Sequence, residues 1–149
     1  MITIIAVGKI KEKYYNDATS EYLKRISKFH KINIIEVDKE KDENTSLVKE
    51  KEYILKHIKP KDYVIALDIE GKEMNSKTLA FKINEIFNHN SNLVFIIGGS
   101  YGLHEDIKQI ANYRLSFSKL TFPHQLFRVI LLEQIYRSFK ILNNETYHK

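Results

Sequence analysis

The chain has 149 residues, room for one domain with a single core, and its 43% apolar content with eight Phe and nine Tyr excludes a chain that stays unfolded. Cysteine is absent, which excludes disulfides, thiolate metal sites and cysteine nucleophiles and fits a reducing compartment. The net charge of +5 comes from 20 Lys and only 4 Arg, and three of these, Arg114, Arg128 and Arg137, fall in the last third.

Ile2 to Val7 reads as a buried strand ending at Gly8. Lys9, Lys11 and Lys13 follow this apolar run rather than precede it, the reverse of a signal peptide. Tyr15, Ala18, Tyr22, Ile26 and Phe29 recur at spacings of three and four, one face of a helix. Ile32 to Val37 is a second strand. The stretch from Glu36 to Glu52 is dense in charge, and Glu40 to Asn44 reads as a solvated loop to which no function is given. Leu47, Val48, Ile54, Leu55 and Ile58 then resume helical spacing until Pro60.

Tyr63 to Ile69 is a third strand closing at Gly71, and Ser76 is placed to cap a helix carrying Leu79, Ile83, Ile86 and Phe87 inward. Leu93 to Ile97, the fourth strand, runs directly into Gly98, Gly99 and Gly102. A short helix from about His104 to Ile110 and a strand from about Arg114 to Phe117 follow, then a turn at Ser118 to Pro123 and a last helix from His124 to Ile141. No apolar run is long enough to span a membrane, so a soluble, cytoplasmic protein is expected. Alternating strands and helices predict an α/β domain with a mainly parallel sheet covered on both faces.

All five glycines follow strands. In open parallel sheets, ligands bind beyond the carboxyl ends of the strands, so a pocket is expected near Gly71, Gly98 to Gly102 and the 118–123 turn. The Gly98-Gly99-Ser100-Tyr101-Gly102 run lacks both the Lys-Ser/Thr ending of a P-loop and the spacing of a dinucleotide fold. No nucleophile elbow is present, and the six histidines lack zinc-site spacing, so no metal is expected.

Four stretches, with the opening Ile5-Ala6-Val7-Gly8-Lys9, carry a recognisable pattern. They are Val64-Ile65-Ala66-Leu67-Asp68-Ile69-Glu70-Gly71-Lys72; Phe95-Ile96-Ile97-Gly98-Gly99-Ser100-Tyr101-Gly102-Leu103; Leu115 to His124, continuing through Arg128-Val129 and Glu133 to Arg137; and Tyr147-His148-Lys149. In order and spacing they resemble the RlmH family of SPOUT methyltransferases, and the match runs end to end. The resemblance implies a single SPOUT domain over 1–149, a C-terminal trefoil knot, a homodimer, and S-adenosyl-L-methionine as methyl donor. It also implies an acceptor, N3 of a pseudouridine in helix 69 of 23S rRNA, met within the large subunit or the whole ribosome. A non-catalytic RNA-binding protein of the same fold and a flavodoxin-like nucleotide-binding protein are the competing readings.

By carry-over, Leu67, Gly98, Phe117, Ser118, Lys119, Leu120, Thr121 and Phe122 line the cofactor pocket. Transfer to N3 requires loss of its proton, and His148 is a candidate base at the chain's end. Tyr147 is expected to stack on a base, and Glu133, one turn from Arg128 and from Arg137 along the helix, to hold a guanidinium in place. Arg128, Arg137 and Lys149 are expected to meet phosphate or base, and His124 either shapes the knot or touches RNA. The last helix is apolar nearly all round, so it is either deeply buried or at an interface, and an interface between copies is the preferred expectation.

Overall fold

The computed structural model describes residues 1–149, apart from the side chains of Glu43 and Asn44. In β1 (Ile2–Val7), side chains alternate across the sheet: Ile2, Ile4 and Ala6 enter one core layer, and Ile5 and Val7 the other. Burial on both faces is why the strand reads as a continuous apolar run. The same logic builds β4 (Leu93–Ile97) and the first half of β3 (Tyr63–Glu73), while β2 (Ile32–Val37) and β5 (Tyr113–Ser116), at the sheet edges, are only partly buried. All pairings are parallel, in the order β2-β1-β4-β3-β5.

Helices α1 (Lys13–Ser27), α3 (Ser76–His89) and α5 (His124–Leu142) supply Ile26, Ile83, Leu132 and Ile135 to the first layer. Helices α2 (Glu43–Leu55) and α4 (Glu105–Ile110) bring Ile54 and Ile107 to the second. The expected α/β domain, a parallel sheet with helices on both faces, is what forms.

Several boundaries differ from the sequence expectation, each for a physical reason. Strand β3 continues past Ile69 to Glu73, because a bulge lets Leu67 and Lys72 both pair with Leu115. Gly71 permits this: a Cβ there would lie 2.6 Å from the carbonyl oxygen of Arg114. The cap of α3 is Asn75, whose Oδ1 accepts from the Thr78 amide at 2.8 Å; Ser76 lies one residue inside and donates to Gln134 instead.

Helix α2 begins within the expected loop, at Glu43, and its inward stripe is Ser46, Glu50 and Ile54. Val48 and Leu55, expected inward, are exposed. A polar residue occupies the buried position because Glu50 accepts from Ser46 Oγ at 2.6 Å and from the Glu40 amide at 3.3 Å.

Helix α5 runs between α1 and α3 and buries Leu131, Leu132, Ile135, Tyr136 and Phe139 within its own chain. Much of its apolar circumference is therefore used internally. Leu126, Phe127, Val129 and Ile130, in its first half, remain only partly covered.

Candidate functional site

A cleft of about 520 Å³ opens at the carboxyl ends of β3, β4 and β5. Its β4 wall is the turn after Ile97, where the Gly102 amide donates to the Gly99 carbonyl at 3.0 Å and Gly102 has φ +77°. Gly98 is required by the turn itself, since a Cβ there would sit 2.4 Å from the carbonyl oxygen of Gly102. The β5 wall is the 116–122 loop. Ser116 Oγ donates to the Ser118 carbonyl at 3.1 Å, and Ser118 Oγ accepts from the Leu120 amide at 3.0 Å. Phe117 and Phe122 both pack on the Phe127 ring, which fixes this loop to α5.

Of the residues expected at a cofactor, Leu67, Gly98, Phe117, Ser118, Leu120, Thr121 and Phe122 line this cleft, and Lys119 does not. His124 joins them. Crowding by its surroundings pushes the His124 pKa down, and Lys39 and Arg128 push the same way.

Sequence reasoning missed Asp68, Glu70 and Lys108, which also face the cleft. Asp68 accepts from Arg114 Nε at 2.8 Å and Nη2 at 2.5 Å, and Lys108 Nζ stands 3.9 Å away. Burial pulls the Asp68 pKa up, but Arg114, the Glu70 amide and Lys108 outweigh it and hold the carboxyl below its ordinary value. The signal was present in sequence only as Asp68 interrupting a buried strand.

A second cavity, about 550 Å³, adjoins the first and shares Leu115, Phe117 and Phe122 with it. It holds Gln134 and His148. The tail reaches it because Tyr147 Oη donates to Glu133 Oε1 at 2.8 Å, and because the Tyr147 ring meets Tyr136 edge-on at 5.0 Å. Arg137 donates to both Glu133 oxygens at 3.1 Å and lies 4.9 Å from the centre of the Tyr147 ring. Burial and the Glu133 bond push the Tyr147 hydroxyl up to about 12, so it stays protonated as a donor. Arg137 Nη1 also lies 3.0 Å from His148 Nδ1.

The structure thus brings Glu133, Arg137, Tyr147 and His148 together, while Lys149 stands exposed beyond them. Tyr147, expected to stack on a substrate base, has its ring engaged by Tyr136 and Arg137 instead. Arg128, expected to face phosphate or base, lies elsewhere. Its side chain is 2% exposed, with Nη1 donating to Glu36 at 2.6 Å and Nη2 to the Gly8 carbonyl at 3.1 Å. The opening of the chain folds over it, which spacing along α5 does not reveal. Among the described residues no group of His, Asp or Glu is arranged to hold a metal ion, and no helix is long and apolar enough to cross a membrane.

Fold and cleft define a parallel α/β protein with a ligand-sized site at the carboxyl ends of its strands. The model of the SPOUT methyltransferase family matches residues 1–148. Proteins of Methanococcus maripaludis (strain C5) and Methanococcus vannielii are 57% and 56% identical, over 99% of this chain and of each relative. Both bear the name ribosomal RNA large subunit methyltransferase H, which is itself given provisionally. The chain belongs to the SPOUT methyltransferase family and, within it, to the RlmH group. A solved structure described as a probable methylase family protein from Haemophilus influenzae Rd KW20 shares the fold. It superposes with a TM-score of 0.59 at 14% identity, over 99% of this chain and 70% of that one.

Proposed function

We propose that this protein transfers a methyl group from S-adenosylmethionine to N3 of a pseudouridine in helix 69 of 23S rRNA. It does so on the assembled ribosome in the cytoplasm, as a homodimer whose last segment forms a trefoil knot. The observation that carries this reading is the cleft at the ends of β3, β4 and β5, sharing a wall with the cavity that holds His148. The names of the two Methanococcus relatives support ribosomal RNA as the substrate.

The residues of the cleft fit the cofactor. Leu67, Ile97, Leu115 and Phe117 supply apolar surface for an adenine, and the backbone of 98–102 and 118–122 supplies donors and acceptors at its edge. Glu70 offers an acceptor to hydroxyl groups and counter-charge to a sulfonium. When bound, the cofactor supplies an electrophilic methyl group. The remaining work falls to the protein. Phe117 and Phe122 shield the cleft, and the Glu133–Arg137 pair holds Tyr147 and His148 beside it. Lys149 and the net positive charge favour approach to phosphate.

The test is incubation of unmodified ribosomes with the protein and isotopically labelled S-adenosylmethionine, followed by nucleoside analysis. Labelled 3-methylpseudouridine mapping to helix 69 is expected. Label on another nucleoside refutes the target, and no label on any RNA refutes methyl transfer.

A further inference from the structure

The cofactor cleft holds few charged side chains, and their bonds to one another show which is free to meet a ligand. Asp68, Glu70 and Lys108 line it together with His124, whose depressed pKa keeps the imidazole neutral near pH 7. Asp68 is fully engaged. Arg114 donates twice to its Oδ2, at 2.8 and 2.5 Å, and the Glu70 amide donates to Oδ1 at 3.1 Å. Lys108 Nζ is left 3.9 Å from Oδ2, beyond hydrogen-bond reach, and no other acidic group among the described residues pairs with it. Among those residues Lys108 is also the one Lys or Arg that lines the cleft.

Helix α4 fixes where this ammonium stands. Ile107, fully buried, roots the helix in the second core layer. Lys51 pairs with Asp106 at 3.0 Å, and His104 Nδ1 accepts from the Asp106 amide at 3.0 Å. The helix follows directly on the 98–102 turn, so Lys108 is carried by the segment that forms the β4 wall of the cleft. Its side chain is 21% exposed, and a charge placed against it is partly shielded from water.

We infer that Lys108 binds the carboxylate of the methionyl part of S-adenosylmethionine, and that the Asp68–Arg114 pair keeps the Lys108 ammonium available for it. The inference rests on the cofactor reading above and names the residue that recognises the acidic end of that ligand. S-adenosylmethionine carries one negative group, and the cleft offers one cation without a close partner. Without Arg114, Asp68 would close on Lys108 and occupy it; the two bonds from Arg114 prevent this. An ammonium gains nothing specific from adenine or ribose, so its contribution is confined to ligands that keep the carboxylate.

The experiment measures, by calorimetry, three ligands with the same adenosyl core: S-adenosylhomocysteine, its decarboxylated form adenosyl-3-thiopropylamine, and methylthioadenosine. The decarboxylated form keeps the amine and lacks only the carboxylate. Wild type should bind S-adenosylhomocysteine about 10–100-fold more tightly than the decarboxylated form, the size of a charge-assisted bond. Lys108→Met keeps the length of the stem and should weaken S-adenosylhomocysteine by the same factor. It should leave the other two ligands within about threefold of wild type, which also shows that the variant is folded. Lys108→Arg should restore part of the preference.

Equal affinity of the wild type for S-adenosylhomocysteine and its decarboxylated form would overturn the inference, as would a Lys108→Met variant that keeps the wild-type preference. Loss of all three ligands alike in Lys108→Met would show a structural role and overturn it too. A wild-type protein that binds none of the three defeats the cofactor reading itself, a result distinct from loss of the preference alone.

Discussion

Gly98 and Gly102 face each other across the turn after β4, and the closeness of their backbones sets what either position tolerates. A methyl group at 98 meets the Gly102 carbonyl at 2.4 Å, so Gly98→Ala must push the turn open before any ligand arrives. The expected cost is about 1–3 kcal/mol of stability, as for overpacked sites, together with loss of S-adenosylmethionine affinity. Thermal unfolding and calorimetry check this, and wild-type values for both would show that the turn yields freely.

His124 gives a pH dependence whose sign follows from its depressed pKa. The folded state binds fewer protons here than the unfolded state, so the contribution is fully present above the unfolded value of 6.5 and is lost as pH falls through the folded one. Denaturant titrations from about pH 7 to about pH 5 should show wild-type stability falling more steeply than that of His124→Asn, since this is the range in which histidine charges. Parallel curves would show that His124 is not held neutral by its surroundings.

At the scale of elements, the tail and α5 act as one unit. Periodicity places Tyr147 to Lys149 outside any core, yet Tyr147 packs against the core beside Tyr136 and bonds to Glu133. Deleting the three residues should lower stability by about 1–2 kcal/mol, the sum of one aromatic pair and one partly exposed hydrogen bond. Cofactor affinity should persist, because the tail does not line the first cleft. Methyl transfer should fall by about 10² or more, as the deletion removes His148 with its anchor. Full activity in the truncated protein would separate the tail from the reaction.

The start of α5 is fastened in a different way. Gln125 Oε1 accepts from the Lys11 and Glu12 amides at 2.9 and 3.3 Å, and Arg128 reaches the Gly8 carbonyl. The loop after β1 is thereby tied to the helix that frames the cleft.

For the whole molecule, the open question is what covers the first half of α5. Leu126, Phe127, Val129 and Ile130 are partly buried, and nearby in sequence Leu120 is 73% exposed although it lines the cleft. An apolar surface of this kind fits a homodimer contact next to the cofactor site. Sedimentation at micromolar concentration should give a species of twice 17.6 kDa, and Ile130→Glu should shift it toward the monomer. A wild-type monomer at every concentration would remove the dimer from the proposal.

The strand–helix alternation was legible in the sequence because the central strands β1 and β4 are apolar runs buried on both faces and helices α1 and α3 each carry one apolar face. Those are local patterns, and burial follows from them directly. The cleft was legible for a related reason: the Gly98 to Gly102 turn and the 117–122 loop both end strands of a parallel sheet. Family resemblance, not periodicity, supplied the cofactor and the substrate. What the sequence left open were contacts between residues far apart in the chain. Asp68 is drawn to Arg114, 46 positions on, and Arg128 is enclosed by Glu36 and Gly8, 92 and 120 positions back. Glu50 is buried because the Ser46 hydroxyl and the Glu40 amide close on it. An ionised side chain looks like a surface residue until a partner is brought to it, and only the tertiary fold brings the partner.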